Sequence, residues 1–477
     1  MLPRTGLIAV LLGALAQASL AAPPALPTDA AIDAELQRAM ARTHANGLAV
    51  ALIDAGRVRY VQAYGQRNAQ GDPLLTDSVM YGASLTKTVM AYTTLQLVDQ
   101  GAIRLDTPLA EDLDKPLPDY DPAAIYKGKY APYQQLAGDP RWMKLTPRMC
   151  LNHSTGFGNF YFFEPDNKLR MHFDPGTQFS YSGDGFILLQ FVIENGRAKQ
   201  GLGKDVGALT DAIFKQFGMT RTALKWRADF RPNLADGWND KGEAKEHDER
   251  SKVRAAGSMD TTISDIAKFA AALVRGEGLS KASFAEMLRP QLKITTAHQF
   301  PNFGATLPPE KQRPDLYAGL GVIVFEGPQG KGFFKGGHDE QTANTMVCLT
   351  GTQRCAVILS NDVRAEAAYP ALMKFLLGDT GVPYDWSTAT TQASPDEEAV
   401  YFTCFLSSFL ASVRRCMPSL RAVSEMLKPV SASVSWMRSH SSVLIELVRL
   451  VSSTSVVPSP PRWKAASMSS VLLGLAR

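Results

Sequence analysis

The chain has 477 residues, with 50 Lys and Arg against 46 Asp and Glu, 45% hydrophobic and 20% charged residues. These are globular values, which exclude a disordered chain and a multispanning membrane protein. The net charge of +4 is unevenly spread: residues 401–477 hold nine basic and two acidic groups (+7), and residues 1–400 hold 41 basic and 44 acidic (−3). The basicity belongs to a tail, which excludes a nucleic-acid binder with a basic face.

In chain order, residues 1–22 read as a cleaved export signal: Arg4, an apolar run over 7–15 too short to span a bilayer, then Ala18, Ala21 and Ala22. A periplasmic or secreted protein is expected. No Cys follows the small residues, so a bacterial lipid anchor is not expected. Residues 29–43 have helical spacing, and 47–66 read as two strands around the turn Asp54-Ala55-Gly56. A helix follows over 83–100, with Leu85, Val89, Tyr92, Leu95 and Val98 near one face and Gly101 as its stop. Residues 106–254 mix Pro, Gly, aromatic and charged residues around short helical stretches, the pattern of a mostly helical insertion with long loops.

Strands are expected again at 319–325, 332–335, 342–350 and 354–359, then a helix at 363–377. Strands at both ends with helices between imply one sheet closed by distant segments. The fold class is therefore α/β: an antiparallel sheet flanked by helices, formed by 29–105 and 255–388, with the helical insertion at 106–254. From 389 the composition breaks; 401–477 has one glycine and no aspartate. That tail is read as out-of-frame translation of a GC-rich frame, with a genuine disordered tail as the alternative. Its uncharged stretch at 399–413 is shorter than a spanning helix needs, so membrane contact through it is a weak expectation. Of five cysteines, Cys348 and Cys355 flank a Thr-Gly turn and either bond across a hairpin or stay as two buried thiols.

Three elements carry chemistry. Tyr81-Gly82-Ala83-Ser84-Leu85-Thr86-Lys87 holds the chain's one Ser-x-x-Lys. At a helix N-terminus Ser84 would meet free N–H groups, and Lys87, three residues on, would share its face. A serine needs a base, and a desolvated lysine beside a second cation can lose its proton and serve. Asp174-Pro175-Gly176 leads into Ser180-Tyr181-Ser182-Gly183, a phenol on a tight loop, and Phe334-Lys335-Gly336-Gly337-His338 sets a cation beside two glycines that allow close backbone approach. There is no Gly-x-Ser-x-Gly, His-Glu-x-x-His, phosphate loop or Cys-x-x-Cys, and neither a metal nor an organic cofactor is expected. His153, in a Leu-x-His-Ser-Thr-Gly turn, reads as a structural hydrogen-bonding residue, and Asp174 as a turn residue.

In this order the elements resemble the serine β-lactamase and penicillin-recognising superfamily, in particular class C β-lactamases and family VIII esterases, over residues 30–385. Leu105-Asp106-Thr107-Pro108-Leu109, Leu151-Asn152-His153-Ser154-Thr155-Gly156-Phe157 and Ala256-Gly257-Ser258-Met259-Asp260-Thr261-Thr262 are similar to family sequence as well. The resemblance implies that Ser84 is acylated, that Lys87 deprotonates it, that the Tyr181 phenol moves a proton to the leaving group, and that Lys335 supplies charge. It implies an oxyanion hole from the backbone N–H groups of Ser84 and His338.

Two departures bear on substrate. Gly183 stands where the family's Tyr-x-Asn has an amide, and Gly336 where Lys-Thr-Gly has a hydroxyl. With Gly337, these positions are the expected substrate-binding surface. Losing each polar handle removes about 1 to 3 kcal/mol of contact to a β-lactam. The expectation is an exported serine hydrolase of a small ester or amide, most simply an esterase. The alternatives are a true class C β-lactamase or D-amino-acid or cell-wall peptidase, and a non-catalytic wall-binding protein. The partner expected is a small acyl substrate, with no nucleic acid.

Overall fold

A computed structural model describes residues 24–121 and 128–387. The export signal and the tail from 389 lie outside the described residues.

Helix α1 (Asp29–Thr43) starts where Thr28 accepts the Ala31 N–H, carries Asp29 in its first turn, and buries Ile32, Leu36 and Ala39, one stripe at helical spacing. Strands β1 (Gly47–Asp54) and β2 (Arg57–Gly65) form the expected hairpin. Ala55 and Gly56 both have positive φ, 47° and 71°, which a two-residue turn matching strand twist requires. The later strands are β3 (Met80–Ala83), β4 (Gly237–Trp238), β5 (Ala244–Lys245), β6 (Met259–Thr261), β7 (Leu292–Lys293), β8 (Tyr317–Ala318), β9 (Ile323–Gly327), β10 (Gly330–His338), β11 (Ala343–Leu349) and β12 (Arg354–Ser360).

Eight of these make one antiparallel sheet in the order β2-β1-β12-β11-β10-β9-β8-β7. Distant ends of the chain close it, Ala49 opposite Leu359 and Ile53 opposite Cys355. Alternation sorts each central strand between two cores. Ala49, Ala51 and Ile53 of β1 join Cys355, Val357 and Leu359 of β12 in one apolar cluster; Leu48, Val50 and Leu52 join Ala356 and Ile358 in the other. Because both faces are covered, these strands read as continuous apolar runs. Helix α1 and the helix Tyr369–Leu377 contribute to the second cluster. The helix Ile263–Val274 and α2 (Thr86–Asp99) contribute to the first, which also takes in Leu109, Leu151, Phe186 and Leu224 of the insertion, so sheet and insertion share one core. Cys348 and Cys355 stand directly opposite on β11 and β12 and are bonded, with Cα atoms 4.1 Å apart.

The structure refines two expectations. The insertion holds the helices Pro147–Leu151, Gly183–Asn195 and Val206–Gln216 among 3-10 turns, but also the small β4–β5 ribbon. And α2 is buried nearly all round rather than on one face. Its threonines tolerate this because Thr93 and Thr94 donate to the carbonyls of Val89 and Met90 one turn back.

Candidate active site

The sequence places Ser84 on a helix terminus; in the structure α2 starts at Thr86, and Ser84 sits on the turn before it. β3 pairs with β6, Tyr81 opposite Asp260, with an irregularity before Ala83. Ala83 itself is forced to φ 47°, a left-handed conformation unfavourable for a residue with a Cβ. Three bonds hold it: Leu85 N–H to Gly82 O (3.1 Å), Thr86 Oγ1 to Ala83 O (2.6 Å), and Met259 N–H to Thr86 Oγ1 (3.1 Å). The kink turns the chain sharply between strand and helix at Ser84.

Lys87, 1% exposed, has Nζ 3.0 Å from Ser84 Oγ and donates to Ala256 O at 2.6 Å. Burial holds its pKa well below the usual lysine value, and the charges of Lys335 and Arg254 push the same way against Asp184. The family-like Ala256-Gly257-Ser258 segment thus supplies a carbonyl that fixes the lysine.

Tyr181 is 4% exposed, on the loop before helix Gly183–Asn195. Its ring lies between two lysine amines, with Lys87 Nζ 4.8 Å and Lys335 Nζ 4.9 Å from the centroid. The Lys335 ammonium donates to Tyr181 OH (3.1 Å) and Gly336 O (2.8 Å). Burial raises the phenol's pKa, against the pull of the Ser84 hydroxyl, and lowers Lys335 to about 7. Asn302 Nδ2 ties the loop down through Tyr181 O (2.7 Å) and Ser180 Oγ (2.8 Å).

β9 stops pairing with β10 at Phe334, so the edge of β10 from Lys335 to His338 has no strand there. The Ser84 turn approaches Gly337 instead: a Cβ on Gly337 would meet Gly82 O at 2.7 Å and Ser84 N at 3.1 Å. Only glycine fits. A cavity of about 210 Å³ is lined by Ser84, Tyr181, Lys335, Gly336, Gly337 and His338 among others. The four side chains singled out by sequence, Gly336, Gly337 and His338 therefore meet in one place.

Gly183 does not line that cavity. A Cβ there would run into Cδ1, Cε1 and Cζ of Phe160, whose ring occupies the space a side chain would need. Phe160 stacks on Phe162, and Arg254 lies over both rings. Phe162, Phe163 and Phe303, close in sequence to Phe160 and Asn302, stay exposed at 37%, 68% and 40%.

Sequence reasoning also missed Asp184. Fully buried, it accepts the Tyr161 N–H at Oδ2 (2.5 Å), has no hydrogen-bond partner at Oδ1 among the described residues, and is raised by burial to about 7. Its position directly after Tyr-Ser-Gly was the available signal. No group of three metal-ligating side chains occurs among the described residues.

This arrangement on this sheet defines the serine β-lactamase and penicillin-binding class of protein. The family model for Beta-lactamase matches residues 32–374, and the chain belongs to that family, whose members are usually serine hydrolases. Among solved structures it resembles the octameric penicillin-binding protein homologue of Pyrococcus abyssi (18% identity, TM-score 0.54, 73% of this chain and 79% of that one). It also resembles D-alanine carboxypeptidase AmpC of Burkholderia cenocepacia (16%, TM-score 0.53, 72% and 97%). At these identities the likeness is one of fold. Among curated proteins it is 24% identical over 250 residues to the probable fimbrial assembly protein FimD, serogroup H1, of Dichelobacter nodosus, covering 47% of this chain and 56% of that one. It is 30% identical over 138 residues to lovastatin esterase of Penicillium rubens, covering 28% and 33%. The chain spans about half or less of the length of these relatives.

Proposed function

We propose that the protein is an exported serine hydrolase that cleaves a small ester through an acyl-Ser84 intermediate. The observation that carries this is the buried Lys87 amine 3.0 Å from the Ser84 hydroxyl. With its pKa held low by burial and by the charges of Lys335 and Arg254, Lys87 takes the Ser84 proton as Oγ attacks the carbonyl carbon. The oxyanion accepts from the N–H groups of Ser84 and His338. Tyr181, kept protonated by burial, gives its proton to the departing alcohol as the C–O bond breaks. Charge from Lys335 stabilises the transient phenolate, and a proton returns from Lys87. Water then attacks the acyl-enzyme, losing a proton to the same groups, and restores Ser84.

The partial similarity to a lovastatin esterase supports an ester substrate, and the exposed Phe162, Phe163 and Phe303 near Phe160 and Asn302 are compatible with an apolar acyl group. The filled space at Gly183 and the bare Gly336 fit poorly with a β-lactam's amide and carboxylate. The Cys348–Cys355 bond supports an oxidising compartment and hence export.

A short-chain p-nitrophenyl ester and a chromogenic cephalosporin, run on one preparation, test the reading. Ester cleavage that Ser84→Ala and Lys87→Ala abolish, with an acyl adduct on Ser84 by intact mass, is the expected result. Fast cephalosporin turnover without ester cleavage would make it a β-lactamase. No fluorophosphonate labelling of Ser84 would make it a binding protein.

A further inference from the structure

The cavity has a second charged wall that the acyl-transfer scheme does not use. Glu366, in the 3-10 turn Val363–Ala368, lies with Oε2 3.3 Å from Nε2 of His338, and both line the cavity with Ser84, Tyr181, Lys335 and Gly336. Among the described residues His338 is the only ion-pair partner of this partly buried carboxylate. The neighbouring hydroxyls are engaged elsewhere: Tyr369 OH donates to Ala343 O (2.7 Å), and Tyr384 OH pairs with Thr345 Oγ1 (3.1 Å). Burial raises the Glu366 pKa against the pull of His338, the sign of a carboxylate short of solvation and partners.

The opposite wall offers little to an anion. Lys335 is committed to Tyr181 OH and Gly336 O, and burial brings it to about 7, so its charge is partial at neutral pH. The way between the walls is open, since a Cβ on Gly336 would meet nothing nearer than Asn344 O at 3.7 Å.

Resting on the ester-hydrolase reading above, we infer that Glu366 makes this wall a leaving-group subsite for a cationic alcohol or amine and disfavours leaving groups that carry a carboxylate. The leaving group takes its proton from Tyr181, so it departs on the side of Tyr181 and Lys335. The cavity joins these residues through Gly336 to Glu366. An ammonium there gains a carboxylate partner; a carboxylate meets like charge in a half-buried setting.

Three thioesters of one acyl group test this: butyrylthiocholine, its neutral isostere S-(3,3-dimethylbutyl) thiobutyrate, and S-butyryl-3-mercaptopropionate, with thiol release followed colorimetrically. The kcat/KM for the cationic ester is expected about tenfold above the neutral one, with the anionic one lowest. Glu366→Gln brings the three within about twofold of each other, Glu366→Asp keeps the order, and fluorophosphonate labelling of Ser84 reports a folded site in each variant. A flat series in the wild type, an order that survives Glu366→Gln, or Ser84 labelling without turnover of the choline ester overturns the inference alone. No turnover of any ester together with no labelling overturns the serine-hydrolase reading, and this inference with it.

Discussion

His153 and Tyr181 lie face to face, ring centroids 4.4 Å apart and planes 28° apart. His153 Nδ1 accepts the Ser182 N–H at 3.0 Å, and burial with the charges of Lys87 and Lys335 holds its pKa well below the usual value. An imidazole whose protonation is opposed by burial, stacked on the phenol, acts as a positioning residue for it. In His153→Leu, kcat for the ester falls about tenfold while KM moves much less, as expected when a misplaced group acts in the transition state. The stability sign is fixed as well. The unfolded chain binds a proton that the folded imidazole refuses, so stability falls as pH drops below about 6.5. Urea midpoints at pH 5.5 and 7.5 should differ less in His153→Leu than in the wild type; equal slopes contradict this account.

On the proposed hydrolase reading, Lys335 is expected to set the alkaline limb of activity. With its pKa at about 7, its charge is lost as pH rises from 6 to 9. kcat/KM should decline over that range. Lys335→Arg, whatever it costs in absolute rate, keeps a cation and should flatten the profile to pH 9. A wild-type rate still climbing at pH 9 refutes the assignment.

The Gly183–Phe160 contact predicts a rescue. Gly183→Asn forces a side chain into the Phe160 ring and should destabilise by about 1 to 3 kcal/mol. Phe160→Ala alone leaves a cavity. The double variant should be more stable than the sum of the two changes by about 0.5 to 3 kcal/mol in a urea cycle, and it restores the amide that β-lactam recognition lacks here. Additive effects would mean the two positions do not share space.

Asp184 gives a pH signature of opposite sign to His153. Its pKa is raised from 3.8 to about 7, so the folded chain holds a proton that the unfolded one has lost. That contribution is fully present below about pH 4 and is lost as pH rises through about 7. Asp184→Asn keeps an acceptor for the Tyr161 N–H and cannot ionise. Its urea midpoint relative to the wild type should improve from pH 5 to pH 8, and no change with pH would count against a buried, raised acid.

Local signals made Ser84, Lys87, Tyr181 and Lys335 readable, because each lies in a short motif bounded by glycine or a turn. The hairpin of β1 and β2 was readable for the same reason, and the β1–β12 closure followed from apolar runs at both ends of the fold. Phe160 and Glu366 were not readable: each matters through a contact with residues 23 and 28 positions away that no periodicity links. The displacement of Ser84 off its helix came from Ala83 at positive φ, a conformation imposed by pairing with a strand 176 residues further on. Gly183, read as substrate-facing from its place in the motif, proved to be a packing position.

The pairing of β1 with β12 also orders events in time. During synthesis β1 has no neighbour on that side until residue 354 is made, and Lys335, on β10, arrives hardly sooner. A nascent chain that already carries Ser84, Lys87 and Tyr181 is therefore expected to be inert and unclosed, with an open strand edge and a high sequence separation still to bridge. On the proposed hydrolase reading, acylating power should arrive only with the last strand, so any truncation before β12 should yield a polypeptide with the nucleophile and no activity.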